Sequence, residues 1–143
     1  MNDVQAVARP APSHLHRVRR LVGVGLLATL AAMVATTLAA WLARAVGVDF
    51  EIPDGGKTIP LGGFATVTGV FSVVGVVMAA ALLRWSTRPA QLFLRIAVTL
   101  TAFSLIPPML SGGNAGTVTS LVVLHLVAAA VMIPSLVRRL RRG

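Results

Sequence analysis

VTSLVVLHLVAAAVMIPSLV, residues Val118 to Val137, is an apolar run with one ionisable side chain, His125, near its middle. A helix needs about 20 apolar residues to cross the hydrocarbon core of a bilayer. Three earlier runs have the same character, at residues 21–43, 64–83 and 91–110. The sequence therefore predicts an all-α membrane protein, an antiparallel bundle of four transmembrane helices within residues 21–137.

The composition supports a membrane protein and excludes several other classes. The chain has 143 residues, of which 56 % are hydrophobic and 12 % charged, whereas soluble domains carry about 25 % charged residues. The net charge of +9 comes from arginines that flank the apolar runs, so we expect no nucleic-acid partner. Cysteine is absent, which excludes disulfides and thiolate metal sites. We expect no metal and no cofactor.

Both ends of the chain are basic, and we predict cytoplasmic tails at residues 1–20 and 138–143. The first tail holds the pair His14 and His16, which we interpret as exposed residues without a metal. A cleaved secretory signal is the alternative interpretation of the first apolar run. A signal has an apolar region of only about 7–15 residues, so we favour a retained first span.

Residues 44–63 form the one substantial connection. Here Val48, Phe50 and Ile52 alternate with charged residues, which is the period of a strand. The following four residues, Pro-Asp-Gly-Gly at 53–56, have the composition of a turn. We predict a short extracytoplasmic β-hairpin whose apolar face packs on the helix ends, with an irregular loop as the alternative.

Two sequence signals concern the ends of the third and fourth spans. Pro107 and Pro108 predict a kink or the end of the third span, because proline removes a backbone donor. Thr117 is the predicted N-cap of the fourth span.

The distribution of basic residues predicts the orientation. Cytoplasmic loops carry an excess of Lys and Arg. The predicted inner side holds Arg9, Arg17, Arg19, Arg20, Arg84, Arg88, Arg95, Arg138, Arg139, Arg141 and Arg142. The outer side holds Arg44 and Lys57. We therefore predict a multi-pass protein of the cell membrane with both termini cytoplasmic, whose inner arginines contact anionic lipid headgroups.

Each span carries a stripe of small residues with alternating spacings of three and four, which is typical of the seam of a left-handed bundle. The stripe of the first span is Gly25, Thr29, Ala32, Thr36, Ala39 and Ala43, and that of the second is Ala65, Thr68, Ser72, Gly75 and Ala79. In the third and fourth spans the corresponding residues are Ala97, Thr101, Ser104 and Pro108, and Leu121, His125, Ala128 and Met132.

Four polar residues on these stripes form the candidate site. With a rise of 1.5 Å per residue, Thr36, Ser72, Ser104 and His125 all lie about 9–12 Å below the outer surface. We predict a polar layer in the outer half of the bundle, in which His125 faces Ser104 or its neighbours. The imidazole then either fixes the helix register as a neutral, hydrogen-bonded group or marks a ligand pocket.

Most chemistry is excluded by what the spans lack. They contain no Asp, Glu or Lys, which disfavours carboxylate proton relays and Schiff-base chemistry. Nucleophile-elbow, zincin and phosphate-loop motifs are also absent from the sequence. We therefore expect that the protein is not an enzyme.

Several short motifs carry a resemblance to a known family. They are Val46-Gly47-Val48-Asp49 after the first span, Ser104-Leu105-Ile106-Pro107 at the end of the third, and the segment from His125 to Pro134. Over about residues 20–140 the chain resembles small four-span integral membrane proteins, common in actinobacteria, that are grouped as a domain of unknown function. The resemblance implies a plasma-membrane protein and carries over no catalytic residues.

From these observations we predict a non-enzymatic accessory or interaction protein that binds lipid or another membrane protein, including a second copy of itself. The alternative is a small transporter or channel subunit in which the layer around His125 lines the solute path. A weaker alternative is a sensor of an apolar small molecule.

Overall fold

The computed structural model describes residues 13–52 and 57–142. Its elements are α1 (His14–Ala45), β1 (Glu51–Ile52), β2 (Lys57–Thr58), α2 (Leu61–Trp85), α3 (Pro89–Ser104), α4 (Ile106–Leu110) and α5 (Ala115–Arg141). Arg9, most of the predicted first tail and the predicted turn at 53–56 lie outside the described residues.

Four helical segments are long and apolar enough to cross a membrane: His14–Ala45, Leu61–Trp85, Pro89–Leu110 and Ala115–Arg141. The third of them combines α3 and α4. The predicted four-helix membrane architecture is confirmed, and the protein is a multi-pass membrane protein.

Helix α1 begins earlier than the predicted span. It starts at His14 rather than at residue 21 and extends over 32 residues. Such a helix is about 48 Å long, whereas the hydrocarbon core is about 30 Å thick. The first turns therefore extend beyond the hydrocarbon. Hydropathy does not reveal them, although arginine is a good helix former.

The four spans form a ring. Helix α1 packs against α2 and α5, and α3 packs against α5 and α2. We call one end of the ring the arginine-rich end; it comprises the start of α1, the turn between α2 and α3, and the end of α5. The opposite end, which holds residues 46–52, 57–60 and 111–114, is called the loop end.

Two apolar clusters hold the ring together, one at each end. The larger cluster lies towards the arginine-rich end and includes Leu21, Val76, Phe93, Met132 and Leu136. The smaller one lies at the loop end and consists of Ala40, Phe50, Phe64 and Leu124 with partly buried neighbours.

Helices α1 and α2 approach each other closely along the predicted small stripes. A methyl carbon built on Gly25 would lie only 2.6 Å from Cγ2 of Val76. Ala32 and Ala79 are completely buried. Small residues thus permit this contact, as expected for helices in lipid, where no hydrophobic drive brings them together.

The connection between α1 and α2 is only partly extended. β1 and β2 pair antiparallel, with Glu51 opposite Thr58 and Ile52 opposite Lys57. The predicted strand over 48–52 is interrupted because Phe50 has a φ of 51°, which is uncommon for a bulky residue. Two residue pairs do not establish the predicted hairpin, which stays a prediction.

Phe50 anchors this connection to the bundle. Its side chain is completely buried, and its ring lies 4.9 Å from that of Phe64. The guanidinium of Arg44 donates a hydrogen bond to the carbonyl of Ile59. The apolar side of the connection therefore packs on the helix ends, in agreement with the expectation for Phe50.

The proline pair interrupts the third span as predicted. Helix α3 ends at Ser104, Leu105 forms a turn, and α4 begins at Ile106. Since Pro107 and Pro108 have no backbone N–H, the carbonyls of residues 103 and 104 lose their helical donors.

The predicted N-cap of the fourth span is wrong. Asn114 is the N-cap of α5, and its side-chain oxygen accepts a hydrogen bond of 2.8 Å from the backbone N–H of Thr117. Thr117 instead occupies the third helical position. Ala115 and Gly116 do not extend the apolar pattern, so the first turn of α5 is not predicted from it. The type of the residue before them agrees with the structure, because Asn is a preferred N-cap residue.

This cap leads to a testable difference between two helix starts. Asn114→Ala should lower the free energy of unfolding by about 1 kcal/mol, because one backbone donor of α5 loses its partner. Ser13 caps α1 without a side-chain hydrogen bond, so Ser13→Ala should leave stability unchanged. Denaturation in mixed micelles measures both variants, and equal stabilities would contradict the assigned cap.

Candidate functional site

Thr36 is the best-defined member of the predicted polar layer. It is 1 % exposed, and its hydroxyl contacts the carbonyl of Ala32 at 2.9 Å. It also shares a hydrogen bond of 3.2 Å with the hydroxyl of Thr68 in α2. This bond is the direct polar link between α1 and α2 in the described part of the spans.

Ser72 does not lie opposite Thr36. Because α1 and α2 are antiparallel and Thr36 pairs with Thr68, Ser72 is one helical turn further from the loop end, close to the level of Ala32. Its side chain is buried. The partner of Thr36 is therefore Thr68, a member of the predicted stripe that we had not assigned to the layer.

Ser104 and His125 bond to their own helices. The hydroxyl of Ser104 donates to the carbonyl of Thr101 at 2.7 Å, and Nδ1 of His125 lies 2.8 Å from the carbonyl of Leu121. That contact requires the proton on Nδ1, which leaves Nε2 of a neutral imidazole as an acceptor. Within residues 13–52 and 57–142, no hydrogen bond joins any two of the four predicted site residues.

Intrahelical bonding explains why the spacing of polar residues could not establish a site. A hydroxyl or imidazole in a helix can donate a hydrogen bond to the backbone carbonyl three or four residues earlier, and it then needs no partner on another helix. Thr29 and Ser135 do the same, with bonds to Gly25 and Val131. The layer as a ligand-binding site therefore stays a prediction.

The arginine-rich end is the other candidate site. It brings together ten arginines from three separate segments of the described chain: Arg17, Arg19, Arg20, Arg84, Arg88, Arg95, Arg138, Arg139, Arg141 and Arg142. Spatial proximity thus unites residues that the sequence places in different tails and turns.

Two surface depressions lie at this end. One, of about 560 Å³, is lined by His14, Leu15, Arg84 and Trp85. The other, of about 330 Å³, is lined by residues from the start of α3 and the end of α5, including Arg88, Gln91, Leu140 and Arg141. Both combine guanidinium groups with apolar walls.

The described carboxylate side chains lie away from the arginine-rich end. The four acids of the sequence are Asp3, Asp49, Glu51 and Asp54. Asp49 and Glu51 belong to the connection at the loop end, whereas Asp3 and Asp54 lie outside the described residues. The arginines of the described arginine-rich end therefore have no carboxylate side chain from the described chain to pair with.

The chain matches a known protein family over most of its length. The model of a family described as "Family of unknown function (DUF6069)" matches residues 16–142. The chain belongs to the DUF6069 family. The match covers all four spans of this DUF6069 protein and the connection between α1 and α2. No curated protein and no solved structure matches the chain.

Proposed function

We propose that this DUF6069 protein is a non-enzymatic accessory protein of the cell membrane, with both termini cytoplasmic, that binds anionic phospholipid headgroups at its arginine-rich end. The observation that supports this most strongly is that arginines from three segments lie at one end of the bundle, away from the described carboxylates. Three of them, Arg84, Arg88 and Arg141, line the two depressions. Free guanidinium groups beside apolar walls suit a lipid, which offers a phosphate next to acyl chains.

The chemistry of arginine favours phosphate. The guanidinium fork can donate two parallel hydrogen bonds to a phosphate group. Basic residues near an anionic membrane surface contribute about 1 kcal/mol each. Arg88 and Arg141 line the same depression from α3 and α5, so one headgroup can contact both.

Aromatic residues are consistent with the proposed position in the membrane. Trp85 is exposed at the arginine-rich end, and Trp41 is exposed near the loop end. Tryptophan is enriched at both membrane–water interfaces. With the arginine-rich end at the inner leaflet, the two indoles lie at opposite interfaces.

Packing favours the accessory function over the alternative of a transporter. A solute path between α1 and α2 would have to pass the close contact of these two helices. There Ala32 and Ala79 are completely buried, and Thr36 is bonded to Thr68. This contact has no room for a solute, whereas the arginine-rich end offers open depressions.

Lipid selectivity provides the test. We expect the purified protein to bind phosphatidylglycerol at least about tenfold more tightly than phosphatidylcholine, and Arg88→Gln/Arg141→Gln to remove most of this preference. Native mass spectrometry of the protein with each lipid measures the difference.

Lys57→Gln serves as the control, because Lys57 is an exposed cation of the loop end. It should leave the lipid preference unchanged. Equal binding of the two lipids by the unaltered protein would contradict the proposed function, and so would a double variant that keeps the full preference.

A further inference from the structure

The third span is the least covered by the rest of the protein. Only 11 % of its most apolar 18-residue stretch is buried, against 33 %, 28 % and 22 % for the first, second and fourth spans. Its outward side, which we call the α3 face, consists of the exposed residues Arg95, Val98, Thr99, Ala102, Phe103 and Ile106. This spacing follows one side of a helix, so the residues form a continuous strip.

Two members of the α3 face are polar, although they point away from the bundle. Arg95 lies about 9 Å along the helix from Pro89 and Thr99 about 6 Å further. Ionisable side chains within a span usually have a specific partner or a functional role. Arg95 lies inside the predicted apolar run at 91–110, whereas the other arginines of the arginine-rich end flank the predicted runs.

Thr99 also differs from most threonines of the first three spans. A bond to the carbonyl four residues earlier is made by Thr29, Thr36, Thr37, Thr66 and Thr101. In the described ranges the hydroxyl of Thr99 makes no such bond. Its hydrogen-bonding capacity is available to a molecule outside the bundle.

Charge decides what kind of helix fits this face. Copies of one membrane protein share the same orientation, so a twofold dimer through the α3 face would place Arg95 beside Arg95. The described acids, Asp49 and Glu51, belong to the loop end, at the opposite end of the ring from Arg95. Among the residues that the structure describes, no carboxylate side chain lies near Arg95, so the proposal takes the complementary carboxylate from a different protein.

We propose that the α3 face binds a transmembrane helix of another membrane protein that carries an Asp or Glu at the depth of Arg95. The guanidinium forms a bidentate pair with that carboxylate, Thr99 hydrogen-bonds across the contact, and Ala102 lets the two backbones approach. The inference rests on the proposed accessory function, but none of the residues of the α3 face lines the depression with Arg88 and Arg141.

The test uses defined peptides and the full-length chain in phosphatidylcholine vesicles. One leucine-alanine transmembrane peptide carries a single Glu about 9 Å from one end, and its twin carries Gln there. Energy transfer between labelled peptide and protein reports association. We expect the Glu peptide to associate at least about tenfold more tightly, and Arg95→Gln to abolish the difference. Thr99→Val should weaken the association of both peptides by a smaller factor.

Two controls separate this proposal from lipid binding. Arg19→Gln removes an exposed cation of the same end that lies on α1, and it should not change peptide association. Adding phosphatidylglycerol should leave the Glu peptide bound. Equal association of the two peptides, an Arg95→Gln variant that keeps the preference, or displacement by phosphatidylglycerol would each overturn the proposal. None of these outcomes affects the lipid preference measured with Arg88→Gln/Arg141→Gln.

Discussion

Phe50→Ala is expected to lower the free energy of unfolding by about 3–5 kcal/mol, the range for removing a buried aromatic side chain. Phe50 is 0 % exposed and stacks against Phe64 at the loop end. Its loss leaves a cavity where the connection joins the helix ends. Alanine also retains the unfavourable positive φ. Denaturation in mixed micelles, followed by the fluorescence of Trp41 and Trp85, measures the change.

Phe71→Ala is the matched control, because Phe71 is 70 % exposed on α2. A side chain on the lipid-facing surface leaves no internal cavity when it is truncated, so its removal should change stability far less. If the two variants unfolded at the same denaturant concentration, Phe50 would not be the anchor of the loop end.

The second large effect is expected at the close contact of α1 and α2. In Gly25→Ala the new methyl would lie 2.6 Å from Cγ2 and 2.8 Å from Cγ1 of Val76. Valine in a helix has one strongly preferred rotamer, so Val76 cannot turn away at low cost. The helices must separate, and overpacking of this kind costs about 1–3 kcal/mol. The same denaturation assay measures the loss.

Gly75→Ala provides the comparison on the partner helix. Nothing lies within 4 Å of a methyl built on Gly75. The substitution should therefore leave stability unchanged or raise it by up to about 1 kcal/mol through helix propensity. A Gly25→Ala variant as stable as Gly75→Ala would show that α1 and α2 do not approach as closely as the structure indicates.

Hydropathy and small-residue spacing predicted most of the architecture. Long apolar runs determine spans because unsatisfied backbone groups are excluded from lipid. The small stripes predicted the contact face of α1, where Gly25, Ala32 and Thr36 are buried. The start of α1 at His14 was missed, because helical structure beyond the hydrocarbon leaves no hydropathy signal. The N-cap at Asn114 was assigned to Thr117 because the intervening Ala and Gly gave no periodic pattern.

The candidate sites were less predictable than the fold. Similar depth predicts Thr36 and Ser72 in one polar layer, but depth alone does not determine the register between two helices, and the structure pairs Thr36 with Thr68. The arginines were recognised as topology signals. The depression that Arg88 and Arg141 line depends on how α3 and α5 pack, which no local pattern encodes. The outward direction of Arg95 likewise follows from the rotation of α3 in the ring.

The unequal size of the two apolar clusters has a consequence for how the molecule responds to heat or strain. The larger cluster ties together α1, α2, α3 and α5 near the arginines, whereas the smaller one depends mainly on Phe50 and its few neighbours. Because local stability follows the number of buried apolar contacts, we expect a gradient of rigidity along the bilayer normal. Its solvent-facing cap can loosen while the opposite end keeps its shape.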